Sequence, residues 1–141
     1  MTLSLNNIEK ILHAKRFGDC NGTIDNVSID SRSLQNNEKT LFFALVGPNN
    51  DAHIYISSLI EKGVQNFVVT HIPEGLLDKA AFFVVENTLD ALQQFATYHR
   101  SLFTFPVIGL TGSNGKTIVK EWLNFLLSPD FNIIRTPTCE L

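Results

Sequence analysis

The chain has 141 residues, 44% hydrophobic and 18% charged, with a net charge of −3. That supplies a folded core for one domain of ordinary size and argues against disorder, while an acidic balance without a basic block argues against nucleic acid as a main partner. The apolar runs, such as residues 80–85, are far too short to span a bilayer; residues 1–15, interrupted by Glu9, do not read as a signal peptide; and Cys20 and Cys139, far apart and without a secretion signal, read as free thiols of a cytoplasmic protein.

Ser4 is placed to cap a helix over 5–14, with Leu5, Ile8, Ile11 and Leu12 on one face. Gly18 and Gly22 punctuate a turn. A short strand over 24–29 puts Val27 and Ile29 on one side and is broken by Asp30-Ser31-Arg32-Ser33. Residues 40–46 are a second strand, too apolar to be half exposed, so buried on both faces. Gly47-Pro48-Asn49-Asn50-Asp51 is a loop, followed by a helix over 54–62 that Gly63 ends. Residues 67–69 and 82–85 are further strands. Thr88 caps a longer helix to about Leu102, with Leu89, Leu92, Phe95, Ala96 and His99 along its apolar stripe. Residues 103–106 read as a linker into a strand over 107–110, and 132–134 as a last strand. Strands alternate with helices, so the class is α/β with mostly parallel pairing.

The most chemically specific stretch is Gly109-Leu110-Thr111-Gly112-Ser113-Asn114-Gly115-Lys116-Thr117. It follows the apolar Pro106-Val107-Ile108 and opens a helix over 117–127. Strand, glycine-rich turn, Lys-Thr and helix is the order that cradles a nucleotide triphosphate. Glycines let backbone N–H groups approach phosphate oxygens, and the helix N-terminus adds partial positive charge. Lys116 would reach the β/γ-phosphates and Thr117 would offer a hydroxyl to Mg²⁺. The usual pattern has a further glycine where Leu110 stands, so the match is to the shorter core Gly-x-x-Gly-Lys-Thr; the competing reading is a solvated Gly/Ser/Asn loop. Most of the chain precedes this loop. Residues 1–104 form one α/β unit, suited to substrate capture, and 105–141 open a second, nucleotide-binding unit whose fold normally needs about 100 residues or more.

These residues resemble the Mur ligases of peptidoglycan synthesis. Their ATP loop has the form Thr-Gly-[Ser/Thr]-Asn-Gly-Lys-Thr, matched by 111–117. Val27-Ser28-Ile29-Asp30-Ser31-Arg32 resembles their segment ending in Asp-Ser-Arg, which meets the UDP-sugar. Leu41-Phe42-Phe43-Ala44-Leu45-Val46-Gly47 resembles the strand that follows, and Asp51-Ala52-His53 resembles an Asp-Gly-His, with Ala52 in place of glycine. The resemblance implies a UDP-sugar-binding α/β domain, then the first strand, phosphate loop and helix of a P-loop ATPase-like domain. It implies ATP and Mg²⁺ as cofactors. The pattern is most similar to members that join D-alanyl-D-alanine to a UDP-N-acetylmuramoyl tripeptide. Members that add the third amino acid, diaminopimelate or lysine, are close behind. In that reaction a carboxylate is phosphorylated by ATP, and the acyl phosphate is attacked by the incoming amine.

The resemblance assigns ATP contacts to Thr111, Gly112, Ser113, Asn114, Gly115, Lys116 and Thr117. Lys116 is the catalytic group on the γ-phosphate and Thr117 the Mg²⁺ ligand. Asp30, Ser31 and Arg32 are assigned to substrate: a hydroxyl and a fork of N–H donors suit an anionic diphosphate. Asn49 and His53 are candidates for sugar, uracil or phosphate, although His53 alone reads as a solvated loop or helix-start histidine. His13 and His71 belong to no constellation, and Trp122 reads as packed. The family's second carboxylate metal ligand, modified lysine and C-terminal domain would lie beyond position 141, and Thr138-Cys139-Glu140-Leu141 does not continue the family pattern, so the chain alone is expected to be inactive. Two other readings stand beside the ligase: a non-catalytic UDP-sugar-binding module, and an unrelated P-loop kinase or GTPase. The last lacks an Asn-Lys-x-Asp motif for guanine.

Overall fold

The computed structural model describes residues 2–18, 22–32, 34, 37–48 and 50–136. The chain divides into two compact units, Met1–Phe103 and Thr104–Leu141. In the first, Leu3–Ser4 (β1) pairs antiparallel with Thr23–Ile24 (β3). Ser4 also caps α1 (Leu5–Leu12), its hydroxyl accepting from the Asn7 amide at 3.3 Å. The remaining strands form one sheet: Lys15–Phe17 (β2), Asn26–Ser28 (β4), Thr40–Phe43 (β5), Asn66–Val69 (β6) and Ala81–Val84 (β7), in the order β2-β7-β6-β5-β4. The last four run parallel and β2 is antiparallel to β7. α2 (Ile56–Glu61) crosses from β5 to β6, and α3 (Thr88–Ser101) follows β7.

The central parallel strands β5, β6 and β7 are buried on both faces, which is why their sequence runs apolar without alternation, whereas the edge strand β4 is half-buried. Leu41, Phe43, Val68, Ala81 and Phe83 pack toward α1 and α3. Phe42, Phe67, Val69 and Phe82 pack on the other face, with Ile56 and Leu59 of α2. In-register pairing of Phe42, Phe67 and Phe82 builds an aromatic row, with ring centroids 6.2 and 5.6 Å apart. The strand expected over 40–46 covers Thr40–Phe43, all buried as the composition requires, but it stops there, and Val46, in the loop beyond, is 52% exposed.

Several local expectations change. β2 replaces part of the expected turn; its three residues are too few to carry a legible alternation. The strand expected over 24–29 is two strands in different sheets. They break at Asp25, whose N–H donates to the Lys39 carbonyl (3.0 Å) and whose carboxylate pairs with the Lys39 ammonium (3.4 Å). Ile29, expected to share a face with Val27, lies beyond β4 and is exposed. The helix expected over 54–62 is a 3₁₀ turn (Ala52–Tyr55) running into α2, and Gly63 ends it at φ 94°. The cap of α3 is Asn87, not Thr88: its Oδ1 accepts from Leu89 N (2.8 Å) and Asp90 N (3.3 Å). The buried stripe of α3 is Thr88, Ala91 and Phe95, with Leu92 half-buried, while Leu89, Ala96 and His99 of the expected stripe are exposed.

In the second unit α4 (Lys116–Leu127) is the one regular element among the described residues. The strands expected over 107–110 and 132–134 are absent, because a strand needs a partner ladder and none is present among the described residues of this unit. For the same reason the apolar stripe Ile118, Trp122, Phe125 and Leu126 is exposed, Trp122 by 67%, rather than packed as expected.

Gly18 joins β2 to its turn with φ +84°, and a Cβ there would lie 2.2 Å from the Ala80 carbonyl oxygen. Gly18→Ala is therefore expected to cost more than about 2 kcal/mol, and Phe67→Ala about 3–5 kcal/mol. Urea unfolding followed by far-UV circular dichroism checks both. Trp122, the single tryptophan, is already exposed, so its emission is expected to change little across the same transition.

Candidate functional site

Four parallel strands send their carboxyl ends to one edge of the sheet, the edge where open α/β sheets bind ligands. The backbone leaves the buried layer there, and the sequence turns polar. After β4 the chain bends on itself: Ser28 Oγ accepts from Asp30 N (3.2 Å) and donates to Asp30 O (3.1 Å). Asp30 then grips Arg32. Its Oδ1 accepts from Arg32 N and Nε, both at 3.0 Å, and Oδ2 accepts from Nη2 at 3.3 Å. These bonds to the carboxylate push the guanidinium pKa further up. The Arg32 side chain is 88% exposed, so the pair contributes little stability. Its effect is to orient the fork, leaving Nη1 available. Ser31 Oγ has no partner among the described residues.

After β5 a tight loop returns on itself. Val46 and Asp51 form an antiparallel bridge, Gly47 N donates to Asn50 O (2.8 Å), and Ala52 N donates to Leu45 O (3.0 Å). Asn49, expected to meet substrate, lies outside the described residues. Asp51 caps the 3₁₀ turn, its Oδ1 accepting from His53 N at 2.9 Å and facing His53 Nδ1 at 2.5 Å. The backbone donor first, and the ring second, hold the Asp51 carboxyl below the ordinary aspartate range.

His53 is not a solvated loop residue: its side chain is 4% exposed. Thr70 N, at the end of β6, donates to its Nε2 at 3.1 Å. A ring nitrogen that accepts carries no proton, so the proton sits on Nδ1, facing Asp51. Both nitrogens are thus used inside the domain, and neither is left to hydrogen-bond a ligand. His71, which belongs to no constellation in the sequence, stacks on this ring (centroids 4.3 Å apart, planes at 10°), and its Nδ1 lies 3.2 Å from Thr70 Oγ1. Ser28, Thr70 and His71 are contributors that the sequence does not single out. Ser28 meets Asp30 through a local bend, whereas Thr70 and His71 reach His53 only because β5 and β6 are neighbours in the sheet. An open groove between α1 and α3, bordered by Lys10, Asp90 and Tyr98, includes none of them.

The second unit holds the glycine-rich turn. Gly112 (φ 140°) and Gly115 (φ 78°) take backbone conformations that side chains disfavour. Gly115 is the N-cap of α4 and supplies no side-chain acceptor, so the first-turn amides of the helix lack a side-chain cap. Lys116 opens the helix and its ammonium donates back to the Gly112 carbonyl, closing the turn around it. Thr111, Ser113, Asn114 and Thr117 are all exposed. Uncapped amides, a lysine and permissive glycines fit a polyphosphate. Among the described residues no three His, Cys, Asp or Glu side chains gather to hold a metal. A cation here would rest on the Thr117 hydroxyl and on oxygens of the bound phosphates.

No protein-family model matches the chain. It is 41% identical over 113 residues to the UDP-N-acetylmuramoyl-tripeptide–D-alanyl-D-alanine ligase of Synechocystis, a match over 80% of this chain and 24% of the relative. The enzyme of the same name from Rickettsia prowazekii is 39% identical over 109 residues (74% and 24%). The UDP-N-acetylmuramoyl-L-alanyl-D-glutamate–2,6-diaminopimelate ligase of Phocaeicola vulgatus is 33% identical over 109 residues (76% and 22%). Among solved structures, MurF from Acinetobacter baumannii superposes with a TM-score of 0.80 at 28% identity, over 92% of this chain and 28% of that one. The chain thus spans about a quarter of the length of the relatives it matches.

A folded-state pKa held down at Asp51 makes a stability contribution that is present above the unfolded value, about 4, and is lost as pH falls through the lowered folded value. Asp51→Asn keeps the oxygen acceptor and removes the charge. The wild-type chain is expected to exceed this variant in urea midpoint at neutral pH, and the gap to close as the pH is lowered below about 4. Midpoints measured across a pH series check the sign.

Proposed function

Because the chain belongs to the Mur ligase family and corresponds to the N-terminal part of its members, we propose that it carries the nucleotide-sugar recognition domain and the ATP loop of a ligase. That ligase joins D-alanyl-D-alanine to a UDP-N-acetylmuramoyl tripeptide. The observation that carries this reading is the pairing, in one chain, of two anion-suited features. One is a parallel-sheet edge bearing Ser31 and an oriented Arg32. The other is a glycine turn whose helix lacks a side-chain cap. Residues 1–104 form the substrate domain and 105–141 open the ATP domain.

Ser31 and Arg32 grip the diphosphate of the nucleotide sugar, the hydroxyl and the fork each donating to its oxygens. Asp30 holds the fork in place rather than touching an anion itself. Asn49 adds a polar contact from the loop after β5. In the second unit the backbone amides of 112–116 and the side chain of Lys116 hold the ATP phosphates, with Thr111, Ser113 and Asn114 flanking them. Thr117 supplies a hydroxyl to Mg²⁺. Bound Mg-ATP supplies the phosphoryl group that turns a carboxylate into an acyl phosphate, an acyl donor open to attack by an amine. Lys116 and the helix amides stabilise the charge that gathers on the transferring oxygens.

The likeness to a diaminopimelate-adding ligase at 33% identity supports a second reading, in which the acceptor is UDP-N-acetylmuramoyl-L-alanyl-D-glutamate. Titration calorimetry with the two UDP-sugar peptides separates them: the tripeptide is expected to bind more tightly. Arg32→Ala is expected to weaken the preferred ligand about tenfold or more, and Lys116→Ala to abolish the heat of Mg-ATP binding. Absence of binding by either UDP-sugar peptide would overturn the substrate-domain assignment.

A further inference from the structure

The loop after β5 is held by one side chain more than by any other, and that side chain is a buried histidine. We propose that His53 is a positioning residue of the nucleotide-sugar site, a neutral imidazole that ties the end of the 46–51 loop to the carboxyl end of β6. The inference rests on the reading that this sheet edge binds a nucleotide sugar, and it assigns His53 to the loop rather than to the ligand. Three observations carry it. The ring bridges two elements far apart in sequence, Asp51 through Nδ1 (2.5 Å) and Thr70 N through Nε2 (3.1 Å). The ring itself is buried, 4% exposed, although its Asp51 partner is partly open to solvent. The loop's own backbone bonds, the Val46–Asp51 bridge and Ala52 N to Leu45 O, tie it to itself and to the end of β5, whereas the ring reaches across to the end of β6.

The bridge has a fixed polarity. Asp51 accepts and the Thr70 amide donates, so only an imidazole with one proton, on Nδ1, satisfies both ends. A proton added to Nε2 would aim an N–H at the Thr70 N–H. The groups facing the ring are Asp51 from the loop, Thr70 and its hydroxyl (3.3 Å) from the end of β6, and the stacked imidazole of His71. Arg32 follows β4 and the turn that His53 fixes follows β5, the adjacent parallel strand, so both leave the sheet at the same carboxyl edge.

The test uses the full chain and UDP as the probe. His53→Ala is expected to weaken UDP binding about tenfold or more, the loss that follows when hydrogen bonds holding a charged group are removed. Asp51→Ala is expected to do the same, Asp51→Asn to stay within about threefold because it keeps the acceptor oxygen, and the double variant Asp51→Ala/His53→Ala to be no weaker than either single change. Imidazole nitrogen shifts by NMR are expected to show Nδ1 protonated and Nε2 bare, and the Thr70 amide proton is expected to move in His53→Ala alongside the lost UDP affinity. The Asp51 pair keeps the test open if His53→Ala fails to fold. Folded variants at His53 or Asp51 with wild-type UDP affinity, or an Nε2-protonated ring at neutral pH, would overturn the positioning role alone. A wild-type chain that binds neither UDP nor a UDP-sugar peptide would overturn the site reading, and this inference with it.

Discussion

The fold rests on a sheet that is buried on both faces. Once helices cover each side of β5, β6 and β7, every residue along those strands meets apolar neighbours whichever way it points. Polar side chains are then expelled to the strand ends. Two that remain inside are tied at least in part: Thr40 receives a bond from Asn26 Nδ2 at 3.3 Å, and Asn66 Nδ2 reaches the Glu38 carbonyl at 3.4 Å, while Asn66 Oδ1 is buried without a partner among the described residues. The chemistry at the carboxyl edge follows from the same rule. Ser28, Asp30, Arg32, Asp51, Thr70 and His71 collect there because each lies at or just past the point where its strand leaves the core.

The edge is organised by hydrogen bonds between its own members rather than by a preformed cavity. Asp30 spends both oxygens on Arg32, and Asp51 spends one on His53. Both are short-range contacts; the Asp30–Arg32 pair, on an exposed loop, is worth little in stability. Their effect is conformational. They reduce the number of arrangements a donor can take before an anion arrives, which lowers the cost of ordering it on binding. The second unit works on a different principle. Its turn is shaped by two glycines with positive φ and by the return of Lys116 to Gly112. All of this is local, so the turn keeps its form although the helix behind it buries nothing.

Much of the site was legible in the residue order. The glycine-lysine-threonine turn is local, and its shape follows from which residues tolerate positive φ. The doubly buried strand at 40–43 was legible because two covered faces leave a run without alternation. The Asn87 cap was misassigned to the next residue because Asn and Thr both cap helices, and only the direction of the carbonyl oxygen separates them. The strands at 107–110 and 132–134 have strand-like composition, but a β ladder is a property of two segments and composition reports one.

What the sequence determined by itself was whatever depends on neighbours along the chain: the alternation of strand and helix, the apolar layers, the glycine-lysine turn and the Asp-Ser-Arg bend. Tertiary structure alone decided which loops meet. His53 looked like a surface histidine until β5 and β6 were set side by side and brought the Thr70 amide to its Nε2. Such a contact spans 17 residues, and no periodicity or spacing encodes it. It exists because main-chain pairing fixes the strand ends, and the strand ends fix the groups beyond them.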